Sequence, residues 1–76
     1  MTLDQLKPNA AATVVALTSE GAERRRMLDL GILPGTRIEV VMGSPLGDPV
    51  AYRVRGSIIA LRREQAKQIH IQRREA

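Results

Sequence analysis

Residues 24 to 35 read Arg-Arg-Arg-Met-Leu-Asp-Leu-Gly-Ile-Leu-Pro-Gly, and here alone a short helix can be both started and stopped by the chain's own residues. Upstream, Ser19 is placed to cap the helix with its hydroxyl, while Glu20 and Glu23 put negative charge on a first turn whose free N–H groups favour it. Downstream, Gly31 is the natural stop. A left-handed residue after the last turn costs glycine nothing, but a residue with a Cβ roughly 1–2 kcal/mol. Leu33-Pro34-Gly35-Thr36 then turns again: Pro34 presets φ at the first central position of a type II turn, and Gly35 supplies the positive φ of the second. Arg24 and Leu28 lie four apart and Met27 and Leu30 three apart, so one apolar stripe faces a core while Arg25, Arg26 and Asp29 point to water. Met27 and Leu28 have two readings, as core residues or as a docking contact kept at the surface.

Outward from that helix the chain reads as strand. Ala12 to Leu17 is rich in small and β-branched residues, with Ala12, Val14 and Ala16 on one face and Thr13, Val15 and Leu17 on the other; both faces are apolar, which predicts a well-covered strand. Arg37 to Met42 alternates, Ile38, Val40 and Met42 inward. Gly43 to Pro49 holds two glycines and two prolines, so it reads as a loop whose turn residues include Gly47, Asp48 and Pro49. Val50 to Arg55 alternates again, Val50, Tyr52 and Val54 against Ala51, Arg53 and Arg55, and Gly56 permits a bend before a strand from Ser57 to Leu61. Arg62 to Lys67 suits one helical turn, and Gln68 to Gln72 a last strand with Ile69 and Ile71 inward and His70 and Gln72 outward. At the start, Leu3 and Leu6 form an apolar anchor before a turn in which Asn9 can be left-handed; at the end, residues 73–76 should fray. These elements predict one mainly β domain over residues 1–76, a small, highly curved antiparallel barrel of about five strands with one short α-helix. A barrel is favoured over an open sheet because closure removes unpaired edges.

Composition narrows the chemistry. The 76 residues are 43% apolar and 26% charged, with one Tyr and no Phe or Trp, so the core must be aliphatic. The absence of cysteine removes disulfides, thiolate metal sites and cysteine nucleophiles, and favours a cytoplasmic setting. Thr2 to Leu6 lacks the basic and apolar regions of a signal peptide, and no apolar run approaches the ~20 residues of a membrane span. Twelve Lys and Arg against eight Asp and Glu give a formal charge of +4, which raises the question of an acidic partner.

No catalytic constellation is visible, so the chain does not read as an enzyme. His70 is the single histidine and reads as a solvated residue; Asp48, Glu64, His70 and the methionines have no metal-ligand spacing, so neither metal nor cofactor is expected. The glycines of Gly43 to Gly47 lack a phosphate-cradle pattern. Nucleic acid is the alternative partner, because Arg24 to Arg26, Arg53 and Arg55, Arg62 and Arg63, and Arg73 and Arg74 are basic clusters. Against it, bases stack on aromatic rings at ~1–3 kcal/mol each, and this chain offers only Tyr52. Nucleic acid is therefore not expected.

An apolar strand, then Arg-Met-Leu-Asp-Leu-Gly-Ile-Leu-Pro-Gly-Thr, then Pro-Leu-Gly-Asp-Pro-Val, then Gly-Ser-Ile-Ile-Ala-Leu-Arg-Arg-Glu-Gln-Ala, in that order, resembles the FeoA family from about Leu6 to Ile71. The resemblance implies an SH3-like β-barrel. It also implies a small cytoplasmic accessory of bacterial ferrous-iron uptake that acts on the membrane GTPase transporter FeoB. On that reading Arg25, Arg26, Met27, Leu33 and Pro34 form the contact surface; Met suits it because its side chain repacks easily. Apolar residues near Leu33 and Leu46 would permit a homo-oligomer. Where a glycine often follows the family's first turn, Asn9-Ala10 stands here.

Overall fold

The sheet is built around β1 (Ala11–Leu17) and β2 (Arg37–Gly43), which pair antiparallel with Ala12 opposite Ile38. β3 (Val50–Val54) and β4 (Ser57–Leu61) add on the side of β2, and β5 (Ile69–Arg73) adds on the side of β1, giving the order β4-β3-β2-β1-β5 with all pairs antiparallel. The computed structural model describes residues 1–43 and 47–73. Residues 44–46 of the expected loop before β3, with Leu46 and its expected role in self-association, and the expected fraying of residues 74–76 lie outside these residues; Gly43, expected in that loop, ends β2, and Arg73 itself closes β5. Five short strands and one helix of several turns agree with the expected fold class. Closure is only partial, because among the described residues no ladder joins β4 to β5.

Two irregularities change which side chains face in. Between Val14 and Ala16 the β1–β5 register shifts, so after the buried Ala12 and Val14 the inward phase passes to Leu17; Ala16, expected inside, is exposed, and Val15 is 46% exposed. The expectation that both faces of β1 are covered is thus corrected. Between Val40 and Met42 the β2–β3 register shifts likewise, and Met42, expected inward, is 67% exposed. An extra residue in one strand resets the period-2 alternation and sharpens the bend, which alternation in sequence cannot reveal. β3 follows its pattern, with Tyr52 and Val54 buried, and joins β4 through Arg55 and Gly56, both at positive φ (52° and 83°), as a tight two-residue hairpin.

The helix α1 spans Gly21–Asp29. Its N-cap is Glu20, which makes no side-chain cap bond; Ser19, expected in that role, is buried with its Oγ unpartnered. The stop is as the sequence requires. Gly31 has φ +88°, its N–H reaches the carbonyl of Leu28 and that of Ile32 the carbonyl of Met27, both at 3.0 Å. This paired closure satisfies two orphan carbonyls and packs the residues on either side together; Met27 and Ile32 are fully buried. Gly35, at φ +92°, then lets the Thr36 N–H reach the carbonyl of Leu33 at 3.0 Å, while its own N–H meets the carbonyl of Val14 at 2.7 Å and fastens the turn to β1.

A 3-10 turn at Leu3–Gln5 buries Leu3, and the one-turn helix α2 (Arg63–Ala66) buries Ala66. Asp48 ties the loop before β3 to α2, its Oδ1 accepting the N–H of Arg63 at 2.9 Å. The core is aliphatic apart from Tyr52, which is 3% exposed. Burial, with the negative charges of Asp4 and Asp48 against the opposing Arg63 guanidinium, pushes its phenol up to about 12.

Two expectations test this packing. At Gly31 an added Cβ would meet Cδ of Arg55 at 3.1 Å in a backbone that disfavours side chains. Gly31→Ala should therefore cost about 1–2 kcal/mol, lowering the melting midpoint by roughly 4–8 °C per kcal/mol; an unchanged urea midpoint would refute the helix stop. For Tyr52 the folded state holds the phenolic proton more tightly than the unfolded chain, whose value is 10.0. The resulting stability is complete below pH 10 and is lost as pH rises through about 12. Phenolate absorbance of the folded protein should rise near the upper value, and a rise near 10 would show the ring to be solvated.

Candidate functional site

α1 is fastened at both ends. At its start the Arg24 guanidinium donates to the carbonyl of Leu17 at 3.2 Å, and Glu23 Oε1 accepts from the Gln65 amide at 3.2 Å. At its far end Gly31 packs against Arg55 and Val54. The helix thus runs beside β4, from the α2 turn that follows this strand back to the hairpin that precedes it. Between them lies an open groove of about 390 Å³ lined by Arg26, Pro49, Ala60, Arg62, Glu64 and Gln65. On the other flank of α1, Gly21, Arg24, Arg25, Leu28 and Asp29 line a second depression of about 340 Å³.

The expected contact residues divide accordingly. Arg25 and Arg26 are exposed, but on different flanks of α1. Leu33 is 37% exposed and Pro34 exposed, both in the turn beyond the helix, where they line neither depression. Met27 is corrected: at 0% exposure it belongs to the core and cannot touch a partner. The closure at Gly31 joins the carbonyl of Met27 to the N–H of Ile32, and packing of the helix against the core buries both side chains. Leu28, the other half of that choice, is partly buried.

Charge is distributed unevenly over this surface. Glu39 pairs with both Arg53 (3.0 Å) and Arg37 (3.6 Å) on the outer face of the sheet; as exposed pairs these are worth about 0–1 kcal/mol. Among the described residues Arg26, Arg55 and Arg62 enter no ion pair. Sequence reading saw Arg26 and Arg62 as members of separate basic clusters. It missed Pro49 and Ala60 as their neighbours, although the outward phase of Ala60 in the β4 alternation carried half of that signal.

The polar pocket between α1 and α2, about 250 Å³, is lined by Glu23, Glu64, Gln65 and Gln68. Its oxygen atoms are the nearest approach to a hard-cation ligand set, but Glu23 is bonded to Gln65 and among the described residues no three His, Cys, Asp or Glu side chains converge. His70, expected on the wet face, is half-buried, opposite Ala16 and bridged by Thr2. Among the described residues no helix is long and apolar enough to cross a membrane.

Known proteins share this fold. The FeoA domain matches residues 1–73. A Porphyromonas gingivalis protein, a fusion of Fe(2+) transport protein A with the Fe(2+) transporter FeoB, is 38% identical over 72 residues, 95% of this chain but 8% of that relative. This chain therefore corresponds to a small part of it. Among solved structures, the FeoA protein of Chlorobium tepidum superposes with a TM-score of 0.90 at 36% identity, over 96% of this chain and 70% of that one. FeoA of Stenotrophomonas maltophilia, solved in complex with zinc and described as a prokaryotic SH3 domain protein, gives 0.84 at 29% identity, over 95% and 89%.

Burial of Met27 has a measurable consequence. Met27→Ala should cost about 2–5 kcal/mol, as truncation of a core side chain does. Urea unfolding reads this directly, and a change below about 0.5 kcal/mol would return Met27 to the surface.

Proposed function

The chain belongs to the FeoA domain family, and from that premise we propose that it is a binding accessory of ferrous-iron uptake, without catalysis of its own, which docks on the cytoplasmic side of the FeoB GTPase transporter. The observation that carries this reading is the Porphyromonas gingivalis fusion, in which a stretch 38% identical to this chain is joined covalently to FeoB. Joining two modules turns a second-order encounter into an intramolecular one, at effective concentrations of about millimolar for short flexible linkers. Such a tether favours partners whose separate affinity is modest. A small SH3-like barrel suits the role, because it offers surface and grooves to partner segments.

The contact surface in this proposal is the exposed side of α1 and the turn after it, Arg25, Arg26, Leu33 and Pro34. Arginine suits an interface because its planar fork binds carboxylates bidentately and is more weakly hydrated than an ammonium. Leu33 and Pro34 add apolar area on a turn held by the Gly35 and Thr36 hydrogen bonds, so little ordering remains to be lost on docking.

The test is calorimetric titration of the chain against full-length FeoB in detergent and against its soluble GTPase region, at low and moderate salt. Saturable binding that survives moderate salt is expected with the full-length transporter. Arg25→Glu combined with Leu33→Glu should weaken it by about tenfold or more and leave the melting midpoint unchanged. No binding to the full-length transporter at either salt concentration would overturn the reading.

A further inference from the structure

β4 pairs with β3 on one side and, among the described residues, has no strand on the other. Val54 and Ser57 flank the two-residue hairpin and so form a hydrogen-bonded pair; alternation along the ladder makes Tyr52 with Ile59 and Val50 with Leu61 the next such pairs. The N–H and C=O groups of Ile58 and Ala60 therefore point away from β3, along the free edge. The Ile58 side chain is 59% exposed and Ala60 is also exposed. Natural proteins usually blunt such an edge with proline, a bulge or a covering segment. Here the β3–β4 register runs unbroken from the Val50–Leu61 pair to the Val54–Ser57 pair, and an open groove with Arg26 of α1 on its wall lies beside the Ala60 end of β4.

The charges around that edge have one prevailing sign. Arg55 stands just before β4, Arg62 just after it, and Arg26 faces it from α1. Among the described residues none of the three is in an ion pair, and Glu64 is the single carboxylate on the groove wall. Two copies of this chain joined edge to edge would bring these guanidinium groups together, so a second copy is disfavoured. A nucleic acid strand could neutralise the arginines but has no regular alternation of donors and acceptors to match Ile58 and Ala60. An extended polypeptide with carboxylates satisfies both the edge and the charge.

We propose that the groove between α1 and the free edge of β4 takes an extended acidic segment of a partner protein, which adds to β4 as a further antiparallel or parallel strand while Arg26 and Arg62 meet its carboxylates. The proposal rests on the reading of this chain as a docking module and names the chemistry of what docks. Main-chain bonds to Ile58 and Ala60 supply the pairing, and the arginines select the sequence.

The experiment is titration of the isotope-labelled chain, followed by NMR, with a short peptide of alternating Glu and Val, with the same peptide carrying Lys for Glu, and with oligothymidylate. The Glu peptide should shift the Ile58 and Ala60 amides saturably and slow their hydrogen exchange; the Lys peptide should not. Ala60→Pro removes an outward N–H and no bond of the β3–β4 ladder, and Arg26→Glu with Arg62→Glu reverses the charge. Each variant should weaken peptide binding by about tenfold or more with an unchanged melting midpoint. Shifts confined to other surfaces, no saturable shift, or an equal response to the Lys peptide or to oligothymidylate would overturn the proposal. Ala60→Pro against full-length FeoB separates the two readings, because Arg26 also belongs to the proposed contact surface whereas Ala60 does not. A variant that loses the peptide but keeps the transporter overturns the groove as its docking site and leaves docking intact. A wild-type chain that takes the peptide but not the transporter overturns docking on FeoB and leaves the groove.

Discussion

Among the described residues the two ends of the sheet, β4 and β5, are not joined, and the structure depends on filling the space between them with side chains from a nine-residue helix and a short N-terminal turn. Met27 and Ile32 from the helix and its exit, and Leu3 from the turn, are fully buried. A chain of 76 residues buries only about 60% of the surface its unfolded form exposes, so it has little reserve if this plug is misplaced. The closure at Gly31 fixes the position: two hydrogen bonds reverse the chain after the last turn and hold Met27 and Ile32 on the same side. Beyond it, the second turn at Gly35 is fastened to β1 by the bond from the Gly35 N–H to the carbonyl of Val14.

The two register shifts serve the same end. A strongly curved small sheet needs its strands to bend, and an extra residue in β1 and in β2 provides the bend at the cost of turning Ala16 and Met42 outward. Without aromatic side chains other than Tyr52, the core is filled by Leu, Ile, Val, Ala and one Met. Ala12 and Ala66 are buried among them, as expected of an interior packed as densely as an organic crystal.

A helix that plugs a gap without hydrogen-bonding to the strand beside it leaves a strand edge with free donors and acceptors. That is how a core requirement and a binding surface come to share one element. The inner stripe of α1 completes the core through Met27, while Arg26 on the adjoining flank lines a groove with Ala60 and Arg62. The arginine-rich composition, ambiguous between solubility and recognition when counted along the chain, becomes local here: Arg37 and Arg53 are engaged by Glu39, and Arg26 and Arg62 are left facing a groove.

The sequence by itself determined the punctuation: the helix stop at Gly31, the turn at Pro34 and Gly35, the left-handed Asn9, the single turn after Leu61 and the alternation of β3, because each depends on backbone sterics or on a period read within a few residues. Order along the chain was enough for the resemblance to FeoA. Only the tertiary structure decided where alternation breaks, since a bulge is set by the curvature of the partner strand and leaves no mark in the pattern of β1 or β2. It also decided that Met27 faces inward, that Glu20 rather than Ser19 precedes the helix, and that Arg26 and Arg62, 36 positions apart in the chain, share one groove. Those outcomes depend on contacts between distant residues, whose energies exceed local preference and are settled only when the sheet and helix pack together.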